Sequence, residues 1–222
     1  MAYAWIDGIA EVNLDGSASY DVDNQPLTYM WTWTIDGNDY EANGVNPTIE
    51  LPVGEHVISL IVNDGLIDSE PNEVNITVIG PVEANLNVMP KVLNCRSFQP
   101  RITTVLRLPK GITKDQINTN EPILLYPGEI EADKVWISRD FDNKCRAFRT
   151  TIFASFDANE LMSAIDGNGR VELVVVGRLK NGQYFFGSDN ISVICPGHRP
   201  WHRCWYDFRW NQWCRGSRNF RR

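Results

Sequence analysis

The first eighty residues contain no lysine and no arginine. They carry 14 acidic side chains, so this block repels nucleic acid at long range, and nucleic acid is a disfavoured partner. No CxxC occurs, which removes a thioredoxin-type redox motif and a paired zinc knuckle. There is no CxxCH for haem attachment, no HExxH and no glycine-rich phosphate loop. Residues 82–196 have no histidine, so a Ser-His or Cys-His nucleophile cannot be assembled from that stretch alone. No apolar run approaches the ~18 residues of a membrane-crossing helix, so no membrane span is expected. The start lacks the basic-then-apolar pattern of a secretory signal.

What is present points to packed β-structure. Eight Trp, seven Tyr and nine Phe in 222 residues call for a folded interior and exclude a disordered chain. The net charge of −7 is unevenly spread. Residues 1–80 carry −14, residues 81–197 carry +1, and residues 198–222 carry +6 from seven Arg and one Asp. Three charge blocks suggest three parts. The acidic one is either a well-solvated surface or a binder of ions or partners.

Alternating apolar residues and turn signals every eight to twelve positions make 1–80 an all-β sandwich. Expected strands are Ala10–Leu14, Thr28–Ile35, Thr48–Leu51, His56–Asn63 and Glu73–Ile79. Thr28–Ile35 is the clearest, with Tyr29, Trp31, Trp33 and Ile35 on one face. Asp36-Gly37 and Asp64-Gly65 mark turns.

The run Leu14-Asp15-Gly16-Ser17-Ala18-Ser19-Tyr20-Asp21-Val22-Asp23, then Pro26-Leu27-Thr28-Tyr29 and Trp31, resembles the signature of a PKD domain. Leu51-Pro52-Val53-Gly54, His56 and Val62-Asn63-Asp64-Gly65 follow in that family's order. The resemblance covers nearly all of residues 1–80 and implies an immunoglobulin-like pair of antiparallel sheets. It implies spacing, binding or protein–protein contact, and no chemistry. It places His56 in a sandwich strand, as a structural or surface histidine. Only about a dozen residues precede the motif, which implies a short first strand.

Gly80-Pro81 is the expected boundary. Residues 82–196 read as a second sandwich with strands at Ile102–Leu108, Ile123–Tyr126, Thr150–Phe156, Val171–Leu179, Gln183–Phe186 and Ile191–Cys195. Asn181-Gly182 predicts a hairpin. Asp157 and Glu160 predict a capped short helix, and Thr113 and Gln116 a single turn. With its Leu108-Pro109-Lys110-Gly111-Ile112 turn and Gly169-Arg170-Val171-Glu172-Leu173 strand, this part resembles accessory modules that trail PKD domains in large bacterial surface proteins, a likeness that implies no activity. The fold class is therefore all-β: two tandem sandwiches, 1–80 and 82–196, then a basic, Trp/Arg-rich tail over 197–222.

Four constellations stand out. Asp21 and Asp23, in the loop before the Trp-bearing strand, and Asp64, after a later core strand, emerge at one end of an immunoglobulin-like sandwich. Three converging carboxylates suit calcium, with Asn24 or a carbonyl completing the shell, and some PKD domains are similar in this respect. The alternative is that these Asp side chains cap backbone amides. Cys95 and Cys145 are expected to form a disulfide closing a loop of about fifty residues; the alternative is two separate thiols. Cys195, His198, His202, Cys204 and Cys214 offer zinc-type ligands at a spacing that matches no known set, and a Cys204–Cys214 bridge is the other reading. Trp201, Trp205, Trp210 and Trp213, interleaved with Arg, suit an interface.

Carboxylate pairs for glycoside hydrolysis need a cleft, which small sandwiches do not supply by themselves. The expectation is a non-catalytic structural or adhesive part of an extracellular or cell-surface assembly, associating head to tail with other copies of itself or with surface proteins. An accessory module of a secreted hydrolase, binding a polysaccharide or a protein, is the alternative.

Overall fold

The computed structural model describes residues 1–94, 101–142, 147–165 and 167–194. Its N-terminal strands are β1 (Ala2–Tyr3), β2 (Ile9–Asn13), β3 (Thr28–Ile35), β4 (Asn38–Asn43), β5 (Thr48–Pro52), β6 (Gly54–Asn63) and β7 (Asn72–Ile79). They form a five-stranded sheet in the order β1-β7-β6-β3-β4, with a two-stranded sheet β2-β5 beside it. Period-2 alternation explains the core: Trp31, Trp33 and Ile58 point inward and meet Ala10, Leu14, Ile49 and Leu51. Trp31 Nε1 donates to Gly44 O at 3.0 Å, which fixes the ring. The Gly16 backbone passes directly under it. A Cβ there would lie 3.0 Å from Tyr29 Cδ1 and 3.2 Å from Trp31 Cζ2.

Alternation does not reveal β4, because its sequence NDYEAN is polar. The preceding turn makes it. Asp36 (φ 51°) and Gly37 (φ 79°) both adopt left-handed backbone, as a two-residue type I′ hairpin requires. β4 then follows β3 in register from Met30↔Asn43 to Ile35↔Asn38.

The C-terminal strands are β8 (Val82–Glu83), β9 (Asn85–Met89), β10 (Val92–Asn94), β11 (Arg101–Arg107), β12 (Leu124–Tyr126), β13 (Ile130–Glu131), β14 (Lys134–Asp142), β15 (Ala147–Asp157), β16 (Gly169–Arg178) and β17 (Tyr184–Ile194). One sheet runs β10-β17-β16-β12-β13 with β8 also on β17; the other runs β14-β15-β11-β9. An apolar core including Leu106, Leu125, Ile152, Phe156, Leu173 and Phe185 fills the space between them. Helix α1 (Ala158–Ala164) starts where Asp157 Oδ1 accepts from Asn159 N at 2.7 Å. A 3₁₀ turn spans Lys114–Gln116, and Thr113 N donates to Gln116 Oε1 at 2.8 Å.

Two of the differences from the sequence expectation lie in long strands of the C-terminal half. Gln183–Phe186 and Ile191–Cys195 are expected as separate strands, but β17 is continuous through Gly187-Ser188-Asp189-Asn190. Gly187 is there for space: a Cβ would come within 2.5 Å of Leu106 Cδ1 and 2.8 Å of Ala84 O. Asp189 reaches across to β9, where its Oδ2 accepts from Val88 N at 2.7 Å and pairs with Lys91. The second difference is β14, which is absent from the expected strands although it pairs with β15 from Lys134↔Ser155 to Asp142↔Ala147.

The sandwiches meet through aromatic rings. Trp5 stands edge-on to Tyr184, with centroids 4.6 Å apart, and to Tyr126 at 6.3 Å. The Arg178 guanidinium lies 5.1 Å from the Tyr184 centroid. Gln183 Nε2 donates to Gly80 O at 2.7 Å. Partial burial, then the Glu129 charge and Tyr184, push the Tyr126 hydroxyl above the usual phenol range.

Candidate functional site

The outer face of the N-terminal sheet carries a row of exposed acids. Register places Glu41, Thr32, Ser59 and Glu73 in one row across β4, β3, β6 and β7. At about 4.8 Å per strand the row spans roughly 14 Å, with hydroxyls at its centre and carboxylates at both ends. Asp39 and Glu55 flank it, and Val57, 51% exposed, supplies an apolar spot. These residues, together with Trp33, Tyr40 and His56, line a shallow, open concavity of about 750 Å³. Thr34 Oγ1 donates to Asp39 Oδ1 at 2.8 Å. No Lys or Arg in residues 1–80 neutralises the face.

In the loops expected to hold calcium, Asp21 and Asp64 accept local backbone amides. Asp21 Oδ1 accepts from Asp23 N at 2.8 Å and from Gln25 N at 3.0 Å. Asp64 Oδ1 accepts from Leu66 N at 2.7 Å and from Ile67 N at 2.8 Å. Hydrogen bonds from the Ile67 and Leu66 amides hold the Asp64 carboxyl below the usual carboxylate range. Asn24 sits in left-handed backbone, φ 58°, within the Asp21 turn. Among the described residues no group of three His, Cys, Asp or Glu side chains is close enough to hold an ion. Asp21, Asp23 and Asp64 are therefore not a preformed ligand set.

Asp15 behaves like Asp64: its Oδ1 accepts from Ser17 N at 2.9 Å. The Ser17 side chain and amide together lower its pKa. His56 lies on β6, half-buried, and its Nε2 donates to Pro52 O at 2.7 Å. The bond is local, between residues four apart. Cys95, Cys145, Cys195, His198, His202, Cys204, Cys214, Trp201, Trp205, Trp210 and Trp213 all lie outside the described residues.

Two surface features escape the sequence reading. One is the acidic row, because composition reveals the charge but not the face on which register gathers it. The other is Trp136 on β14, 72% exposed, opposite Phe153 on β15, which opposes Val105 on β11. Its signal was the run of strong β-formers Val135-Trp136-Ile137, which marks a strand without saying which face the Trp takes.

No known family's sequence profile matches the chain, and no curated protein matches it. Solved structures do align with it at low similarity. One is a 1.5-MDa bacterial ice-binding adhesin, at 12% identity and TM-score 0.30, covering 85% of this chain and 58% of that one. Another is the chicken CNTN1 FN1–FN3 domains, at 10% identity and TM-score 0.33, covering 86% and 62%. A third is the Bacteroides ovatus mixed-linkage glucan utilisation protein SGBP-B, at 13% identity and TM-score 0.24, covering 87% and 42%. The chain thus spans less than two thirds of each. Among the described residues no helix is long and apolar enough to cross a membrane.

Proposed function

We propose that this chain is a non-catalytic structural module of an extracellular or cell-surface assembly, joining copies of itself head to tail. The carrying observation is the separation of charge along the molecule. The N-terminal sandwich holds −14 with no cation, and residues 198–222 hold +6 with four Trp. Within this reading the N-terminal sandwich is a PKD domain. Its signature residues have structural work: Gly16 packs under Trp31, and Asp15, Asp21 and Asp64 cap turns. The decisive measurement is mass by light scattering of the full chain and of a chain lacking residues 198–222. The full chain exceeds its 25.3 kDa monomer at low salt, and the deletion returns it to monomer. A full chain that stays monomeric at high concentration removes the reading.

Calcium binding through Asp21, Asp23 and Asp64 belongs to the same proposal and requires the two loops to rearrange. A melting temperature raised by millimolar calcium and restored by chelator supports it; an unmoved one ends it. The Cys95–Cys145 bridge is tested by peptide mapping without reductant, where free alkylation of both thiols removes it. A second reading, an accessory polysaccharide-binding module, is favoured by Trp136, whose exposed ring beside Phe153 can stack on a sugar face. Retention on an insoluble glycan that Trp136→Ala abolishes would establish it.

A further inference from the structure

We infer that the receptor for residues 198–222 is the outer sheet face of the N-terminal sandwich, and that the tail it binds belongs to a second copy of the chain. The inference rests on the head-to-tail reading and adds the surface. Three observations carry it.

The first is complementarity at the scale of one peptide. The row Glu41-Thr32-Ser59-Glu73, with Asp39 and Glu55 beside it, presents four exposed carboxylates around two hydroxyls. Arg side chains pair with carboxylates through two parallel N–H bonds, and the tail holds seven of them. Val57, 51% exposed among these acids, offers apolar contact to an indole.

The second is the contrast with the other acids of the same sandwich. Oδ1 atoms of Asp15, Asp21 and Asp64 already accept backbone amides, so those carboxylates are committed to their turns. Glu41, Glu55 and Glu73 stand on β4, β6 and β7 and line the concavity.

The third is where the chain leaves the fold. Tyr184, at the start of β17, touches Trp5 of the N-terminal sandwich. Ile194, at the end of β17, is ten residues farther along the same strand, roughly 33 Å from that junction. The chain therefore leaves the described fold at the pole remote from its own acidic sandwich, and a tail docking on that sandwich must first run back along the C-terminal unit, a return that a neighbour's face does not require. A contact of this kind is heterologous and propagates rather than closing as a pair.

The test uses three full-length or near full-length chains at low salt, each checked for folding by circular dichroism. The first combines Glu41→Lys and Glu73→Lys. The second combines Asp21→Lys and Asp23→Lys, with the same change in net charge away from the face. The third lacks residues 198–222. The expected result is that the face variant and the deletion are each monomeric, while the loop variant assembles like the unaltered chain. Mixing the face variant, which keeps its tail, with the deletion, which keeps its face, restores a 1:1 dimer that goes no further. About 0.5 M salt, where the Debye length is only a few ångström, dissociates it. If the face variant assembles normally while the deletion does not, the surface is overturned and head-to-tail association stands. If the loop variant is the one that becomes monomeric, the receptor is the loop end instead. If the unaltered chain never exceeds monomer mass, both readings fall together.

Discussion

Among the described residues, the N-terminal sandwich closes its core with nine buried apolar side chains, two of them indoles, whereas the C-terminal core cluster holds twenty-one, with Phe156 and Phe185 among the largest. The smaller core therefore depends on single residues in a way the larger one does not. Its second sheet has two strands, β2 and β5, against sheets of six and four strands in the C-terminal unit. The charges differ in the same sense. The C-terminal sandwich ties strands with ion pairs such as Lys91–Asp189 and Arg101–Asp133, while the N-terminal one has no Lys or Arg to pair. Stability in one half rests on area and balanced charge. In the other it rests on two Trp residues and on turn geometry, leaving an unbalanced surface free for a partner.

Trp31→Ala should break this comparison most sharply. Removing a buried indole costs about 3–5 kcal/mol, a large part of what a small domain possesses. The expected outcome is loss of the N-terminal urea transition with the C-terminal one unchanged. Phe156→Ala removes a comparable ring from the larger core, and there the C-terminal sandwich should stay folded with a lowered midpoint. Circular dichroism across a urea series reads both. Simultaneous loss of both transitions in Trp31→Ala would mean that the two cores are one cooperative unit.

Asp189 tests the charge side of the contrast. Partial burial pushes its carboxyl up, but hydrogen bonds from Lys91 and from the Val88 and Asn190 amides outweigh burial and leave its pKa lowered. A carboxyl with a lowered folded pKa contributes stability that is fully present above its unfolded value near 4 and is lost as pH falls through the folded value. Asp189→Asn should cost about 2 kcal/mol at neutral pH. The difference from the unaltered protein should shrink as pH falls below about 4. A gap that persists undiminished at low pH would assign the loss to packing instead of charge.

Trp5→Ala acts on the junction and should have a smaller effect. Its two edge-on contacts with Tyr126 and Tyr184 are worth about 1 kcal/mol each. Truncation should separate the melting of the two sandwiches by a few degrees without unfolding either. Calorimetry resolves this, and an unchanged trace would show that the junction transmits no stability.

These contrasts were unequally legible beforehand. β3 is readable residue for residue because Trp31 and Trp33 alternate with threonines, and the Asn181-Gly182 hairpin because few other dipeptides suit that turn. β4 is not, since its polar side chains follow from the Asp36-Gly37 backbone and carry no apolar period. Nor is the acidic face. Glu41 and Glu73 are 32 residues apart in the chain, and only the pairing of four strands aligns them. The same Asp21 and Asp64 allow two readings, turn caps and calcium ligands; their Oδ1 atoms accept local amides, and calcium is decided by its own titration.

The smallest expected effect follows from the unpaired charge itself. Fourteen acids without a cation repel one another in the folded N-terminal sandwich more than in its expanded, unfolded chain, so charge opposes its folding. Salt screens that repulsion, because the Debye length shortens from ~30 Å at 0.01 M to ~10 Å at 0.1 M. Raising salt over that range in the chain lacking residues 198–222, where no tail can compete for the acids, should raise the N-terminal melting temperature by about 3 °C. The C-terminal sandwich, with acids and bases nearly balanced, should not move, or should fall slightly as its exposed ion pairs are screened. Opposite responses from two halves of one molecule in one calorimetric trace would isolate the electrostatic difference from the difference in core size. If both halves rise together, general salting effects on apolar surface account for the shift, and the unbalanced charge costs the N-terminal fold nothing measurable.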